Sequence, residues 1–135
     1  MLRKYAILTL LLTFLAAPLF AQNTAWNEIN SFYKVGIELV DQGKFAAASQ
    51  QFSRVGQLEK TSSARPESNP EVSLLKENAQ FYIALCALEL QNTDAESLFI
   101  DFITRYPANN YTKLAYYHLG RSYFTKKNYP KVIEW

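Results

Sequence analysis

Two stretches of this 135-residue chain follow one pattern, and that pattern leaves few folds open. Phe32-x2-Val35-Gly36-x2-Leu39 and Tyr116-x2-Leu119-Gly120-x2-Tyr123 each space large apolar residues by three or four around a single glycine. Such spacing lines one face of a helix. Gly43, Phe45, Ala48-x3-Phe52 and Val55 follow the first stretch, and Tyr129 follows the second. Ala95-x3-Phe99-x2-Phe102, closed by Pro107, repeats the later part of the unit between them. A small-large helical unit that recurs along a chain must bury its apolar face against its neighbours, so paired helices packed in series are expected. Gly36 and Gly120 are expected to remove a side chain where paired helices cross most closely, with Ala48 and Ala95 doing the same from the second helix. Large residues fill the remaining space, and Pro107 stops its helix.

The punctuation between these patterns places the helices. Trp26 to Val40 reads as a helix with a broad apolar face, ended by Asp41-Gln42-Gly43. A second helix follows at once with Phe45, Ala46, Ala48, Phe52 and Val55 on one side, and so short a turn requires antiparallel packing. Residues 60–69 are a polar connection. Asn69-Pro70-Glu71 reads as a helix start: a capping Asn, Pro in the first turn and an acid near the positive helix end. That helix is expected to reach Leu90 or Gln91. Thr93-Asp94-Ala95-Glu96 has the form of a capping box opening a helix that stops at Tyr106-Pro107. Another helix is expected from about Tyr111 to Thr125, broken by Lys126-Lys127-Asn128, and Pro130 begins one more. Alternating runs are too short to predict strands.

The first residues read differently. Arg3 and Lys4 precede an apolar run, Tyr5 to Leu15, followed by Ala16-Ala17-Pro18 and Leu19-Phe20-Ala21. A basic start, an apolar stretch and a small residue before a polar one make a secretory signal peptide, cut after Ala21 to leave Gln22. An uncut membrane anchor is the competing reading; the stretch falls short of the ~20 residues a span needs, and Pro18 interrupts it. Lipid attachment at the junction is excluded, since the only Cys is Cys86. Removing Arg3 and Lys4 from 14 basic residues leaves a remainder that balances the 12 acidic ones. Nucleic acid and anionic membrane therefore gain no support from global charge, and membrane contact is expected only through the signal or through envelope partners.

Little catalytic chemistry is available. One Cys and one His make neither a disulfide framework nor a Cys/His zinc cluster, and no Gly-rich phosphate loop occurs. His118 reads as a half-buried helix residue, and Cys86, set in Ile83-Ala84-Leu85-Cys86-Ala87-Leu88, as an unreactive core thiol. Asp94 and Glu96 read as first-turn helix charges. No enzyme activity, cofactor or metal is expected.

The small-large units resemble the tetratricopeptide repeat (TPR) family over most of residues 25 to 135. The resemblance implies an all-α fold of antiparallel helical hairpins stacked as a right-handed α-solenoid. It divides the chain into a signal peptide (1–21), unit 1 (22–59), a polar linker (60–70), unit 2 (71–108) and an incomplete unit 3 (109–135). In the middle unit either Ala84 or Leu85 takes the place of the glycine, and Lys127 stands where the third unit would usually have Gly. Pro130 to Trp135 opens a second helix and stops, so the chain is expected to be the N-terminal piece of a longer array, with further repeats after Trp135. The resemblance further implies a concave groove lined by the first helices: Tyr33, Ile37 and Val40; Tyr82, Cys86 and Glu89, in a register that could slip by one; and Tyr117, Arg121 and Phe124. The three tyrosines would form a ladder of flat contacts suited to a protein or extended peptide, or would pack between neighbouring helices. Leu98-Phe99-Ile100-Asp101-Phe102-Ile103-x2-Tyr106-Pro107 and Ala115-Tyr116-Tyr117-x-Leu119-Gly120 are similar to repeats of exported bacterial envelope proteins, among them the outer-membrane assembly lipoprotein and the Tol–Pal-associated periplasmic protein. The expectation is a non-catalytic protein-interaction scaffold, periplasmic or outer-membrane associated and not itself a lipoprotein. Two alternatives stay open: a glycan or small-ligand module for nutrient uptake with Trp26, Tyr111 and Tyr117 as platforms, and a module that positions a downstream domain.

Overall fold

Helix after helix makes up the described secondary structure, and the reason is local. Each apolar stripe at three- and four-residue spacing ends at a turn residue that stops the ladder. The computed structural model describes residues 26–57 and 69–134. The expected signal segment 1–21, most of the polar linker 60–70 and Trp135 lie outside the described residues. The helices are α1 (26–41), α2 (Phe45–Gln57), α3 (Pro70–Glu89), α4 (Ala95–Arg105), α5 (Thr112–Thr125) and α6 (Tyr129–Glu134). Over the described residues the protein is all-α.

α1, α3 and α5 end identically. Gly43 (φ 70°), Gln91 (φ 56°) and Lys127 (φ 56°) take the left-handed conformation just past the three helices. In each, that residue's N–H donates to the carbonyl three back: Val40 at 2.9 Å, Leu88 at 3.0 Å and Phe124 at 3.0 Å. The next N–H donates to the carbonyl five back: Leu39 at 2.8 Å, Ala87 at 2.9 Å and Tyr123 at 2.9 Å. This paired closure satisfies the last carbonyls of each helix. Glycine is the natural occupant of such a position, yet Gln91 and Lys127 adopt it too. The three turns also set a common register. Gly36, Ala84 and Gly120 are equivalent, as are Tyr33, Phe81 and Tyr117, so the middle unit slips by one from the expected Tyr82.

The helix starts divide. Asn69 caps α3 as expected, its Oδ1 accepting the Glu71 N–H at 2.9 Å behind Pro70 at the first position. The capping box expected for α4 is not formed. Asp94, not Thr93, stands at the cap and makes no side-chain cap bond. Glu96 is drawn away from the helix end: its Oε1 accepts the Tyr123 hydroxyl and the Lys131 ammonium, the latter at 3.0 Å. Two charge-assisted partners on other helices outweigh one backbone N–H at an exposed helix end.

Two cores form, with α3 between them. Ile29, Ala48, Phe52, Val55, Val72, Ala79 and Cys86 make the first. Phe81, Ala84, Phe99, Phe102, Ile103, Ala115, Leu119 and Tyr123 make the second. α3 contributes opposite faces to each, which explains why its sequence is apolar almost all round. Contacts among α2 to α6 run between consecutive helices, and rings reach one helix further, from Tyr33 to Tyr82 at 6.0 Å and from Phe81 to His118 at 6.2 Å. The two conspicuous glycines are not alike. A Cβ on Gly36 would lie 2.7 Å from the Phe52 ring, the close approach expected there, whereas a Cβ on Gly120 meets nothing within 4 Å. The offset from Gly36 to Phe52, applied to Gly120, falls past Trp135, so the crossing expected at Gly120 lies outside the described residues.

Candidate binding surface

The residues expected to line one groove separate into a packed set and an exposed set. Tyr33 on α1 is half-buried, edge-on to Phe52 at 5.7 Å and to Tyr82 at 6.0 Å. Ile37 and Val40 are half-buried against the first core. Tyr82 stacks on Phe52 at 5.0 Å, and its hydroxyl lies 3.1 Å from that of Tyr111. Burial first, and then the neighbouring Tyr111, push the Tyr33 and Tyr82 hydroxyls well above the ordinary tyrosine range. Both stay neutral. Cys86 has no exposed surface, and burial pushes its thiol up to about 11. It is a core residue and not a groove contact, because the register of α3 turns it toward α2.

The expected Tyr33–Tyr82–Tyr117 ladder is corrected as well. The rings that meet are Tyr33, Tyr82 and Tyr111, while the Tyr117 ring meets His118 at 5.6 Å. Phe81, the true equivalent of Tyr33 and Tyr117, is buried beneath Tyr111, the two rings stacked at 4.7 Å. Tyr111 packs with its ring on Phe81 and its hydroxyl against Tyr82. Asn109 holds this seam together. Its Nδ2 donates to Glu77 Oε2 at 3.0 Å and Asn78 Oδ1 at 3.1 Å, and its Oδ1 accepts the Tyr111 N–H at 2.9 Å.

The exposed set lies on α5. Tyr117 and Phe124 are each 60% exposed, with exposed Arg121 between them. Spacings of four and three residues put all three on one helix face. Beside it a cleft of about 460 Å³ separates the end of α3 from α5. Glu89 and Leu88 line one wall, His118, Arg121 and Ser122 the other, and Lys126 the end. His118 stacks on Phe99 at 5.9 Å, and burial lowers its pKa from the ordinary value near 6.5, Arg121 adding to the effect and Glu89 opposing it. The imidazole is neutral at pH 7. Among the described residues no group of three His, Cys, Asp or Glu is placed to hold a metal ion, and no described helix is long and apolar enough to cross a membrane.

Sequence reasoning missed Lys113, one helical turn before Tyr117 on the same exposed face, and Val132, which closes the edge of that face from α6. The four-residue spacing from Lys113 through Tyr117 to Arg121 was the signal that could have found the first. Comparison with protein-family models, curated proteins and solved structures finds no match to this chain.

Proposed function

We propose that this protein is a non-catalytic scaffold of the bacterial cell envelope, exported by residues 1–21, that binds an extended segment of a partner protein along α5. Its hairpins are read as TPR-like units stacked in a right-handed solenoid. The three identical helix closures at Gly43, Gln91 and Lys127 support that reading, as does the Gly36–Phe52 approach. The observation that carries the function is the exposure of two rings, Tyr117 and Phe124, on either side of Arg121. Rings and arginine are the side chains that dominate binding energy at protein interfaces. Tyr33, Ile37, Val40 and Tyr82 pack against the first core and hold α1 to its neighbours, and Glu89 faces α5 across the cleft.

The test is capture of envelope proteins by the full chain and by a Tyr117→Ala/Phe124→Ala variant, with helicity followed by circular dichroism. Loss of about tenfold or more in recovered partner at unchanged helicity is expected, since truncating two interface rings costs several kcal/mol. Equal recovery refutes the α5 face. N-terminal sequencing of protein from the envelope fraction is expected to begin at Gln22.

A further inference from the structure

Where α1, α3 and the start of α5 come together, three tyrosine rings meet, and two of them bring their hydroxyls into contact. The Tyr82 and Tyr111 oxygens lie 3.1 Å apart, with ring centroids 5.4 Å apart and planes inclined at 67°. Both residues are half-buried. Each ring is also held from behind: Tyr82 stacks on Phe52 at 5.0 Å and Tyr111 on Phe81 at 4.7 Å, both within 12° of parallel. Asn109 ties the Tyr111 backbone to α3, accepting its N–H at 2.9 Å and donating to Glu77 and Asn78. Neither ring can turn away from the other without breaking a stack.

Two phenols aimed at one another in this way are poised for oxidative coupling. One-electron oxidation of a tyrosine removes an electron and the phenolic proton, and the unpaired electron is then shared between the oxygen and the two ring carbons beside it. Two such radicals join through one of those carbons from each ring. In the joined product the hydroxyls lie side by side across the new bond, as these two already do. Tyr117 differs: it is 60% exposed, and its ring neighbour is His118 at 5.6 Å.

We infer that Tyr82 and Tyr111 are a site of dityrosine formation, a carbon–carbon staple between α3 and the start of α5. The oxidant is a haem peroxidase acting with hydrogen peroxide. Each phenol loses one electron and one proton, and a bond forms between a Cε of Tyr82 and a Cε of Tyr111. The hydrogens displaced from those two carbons restore the hydroxyls, so the net change is two Cε–H bonds broken, one C–C bond made and one peroxide reduced to two waters. Electrons, not atoms, pass to the oxidant, so half-burial of the pair does not prevent the reaction. The staple joins residues 29 apart in sequence with all of α4 between them. Unlike a disulfide, it does not reverse in thiol. The inference is independent of the scaffold function proposed above, because it uses no part of the exposed α5 face.

Brief treatment of the dilute full chain with a haem peroxidase and hydrogen peroxide tests it, with monomer separated from linked dimers by size exclusion. The monomer is expected to show the blue emission of dityrosine and to keep it in excess thiol. Trypsin is expected to release a species joining Glu77–Arg105, whose one tyrosine is Tyr82, to Tyr106–Lys113, with the summed mass less two hydrogens. Tyr82→Phe and Tyr111→Phe are each expected to lose that species while keeping helicity, since both leave the ring stacks in place. Tyr117→Phe is expected to retain it. The linked monomer is expected to melt about 5 °C or more above the untreated chain, because a link across such a loop constrains the unfolded state. Dimers without an internally linked monomer overturn the inference. So does survival of the linked species in Tyr111→Phe, which would place the bond at Tyr106. A linked monomer that melts no higher than the parent refutes the staple.

Discussion

Two glycines occupy one register and meet opposite surroundings, so a single substitution should move stability in opposite directions at the two sites. At Gly36 an added methyl would sit 2.7 Å from the Phe52 ring, which is itself fully buried and edge-on to Tyr33 at 5.7 Å. That ring cannot retreat without opening the first core, and such overpacking costs about 1–3 kcal/mol. Helix propensity returns about 1 kcal/mol when Gly becomes Ala, so Gly36→Ala is expected to be destabilising or at best neutral. Gly120 faces open space and lies inside α5. Only the propensity gain applies there, and Gly120→Ala is expected to stabilise by about 1 kcal/mol. Urea midpoints of the two variants check both: a stabilising Gly36→Ala would mean that α1 and α2 do not meet at that point. Both glycines sit in the same apolar pattern, and what distinguishes them is a ring on another helix.

Helix ends show which local signals can be read from sequence. Asn69-Pro70-Glu71 contains everything its cap needs within three residues, and the expected geometry forms. Thr93-Asp94-Ala95-Glu96 looks equally complete, but its Glu96 is claimed by Tyr123 and Lys131, far along the chain, and the box is lost. The register of the middle unit was hidden for a related reason. It is set by the left-handed Gln91, and nothing in that side chain announces the conformation. Two of the expected groove residues moved with it: Cys86 went to the core and Tyr82 to the seam between helices, whereas Tyr117, Arg121 and Phe124 needed only helical spacing and stayed exposed. The left-handed turns carry a prediction of their own. A non-glycine residue held at φ near +56° costs roughly 1 kcal/mol or more against glycine, partly offset by the greater freedom glycine has when unfolded. Gln91→Gly and Lys127→Gly are each expected to raise stability by about 0.5 kcal/mol, and Gly43→Ala to lower it by about 1 kcal/mol. Thermal melts of the three variants check the signs. A destabilising Lys127→Gly would show that the α5–α6 turn is not closed as α1–α2 is.

The whole molecule depends on α3 to join its two cores, and Tyr82 is the side chain that packs against both. One side of its ring stacks on Phe52 at 5.0 Å, and its edge meets Phe81 at 5.3 Å and Tyr111 at 5.4 Å. Its hydroxyl reaches that of Tyr111, which leads on through Asn109 to Glu77 and Asn78. Removing the hydroxyl and removing the ring therefore test different things. Tyr82→Phe leaves every ring contact and deletes one half-buried hydrogen bond, at a cost of about 1 kcal/mol. Tyr82→Ala empties the space between Phe52 and Tyr111, and large-to-small changes of this kind cost about 3–5 kcal/mol when fully buried, less for a half-buried ring. The ring truncation should also weaken coupling between the cores, because helices packed in series share stability only through their interfaces. Native-state hydrogen exchange separates the two effects. In the parent chain and in Tyr82→Phe, amides around Phe52 and around Phe99 are expected to open with similar free energies. In Tyr82→Ala the two groups are expected to diverge, one core opening while the other stays closed. Uniform loss of protection in Tyr82→Ala would mean that α3 backbone packing, and not this ring, is what joins the two halves.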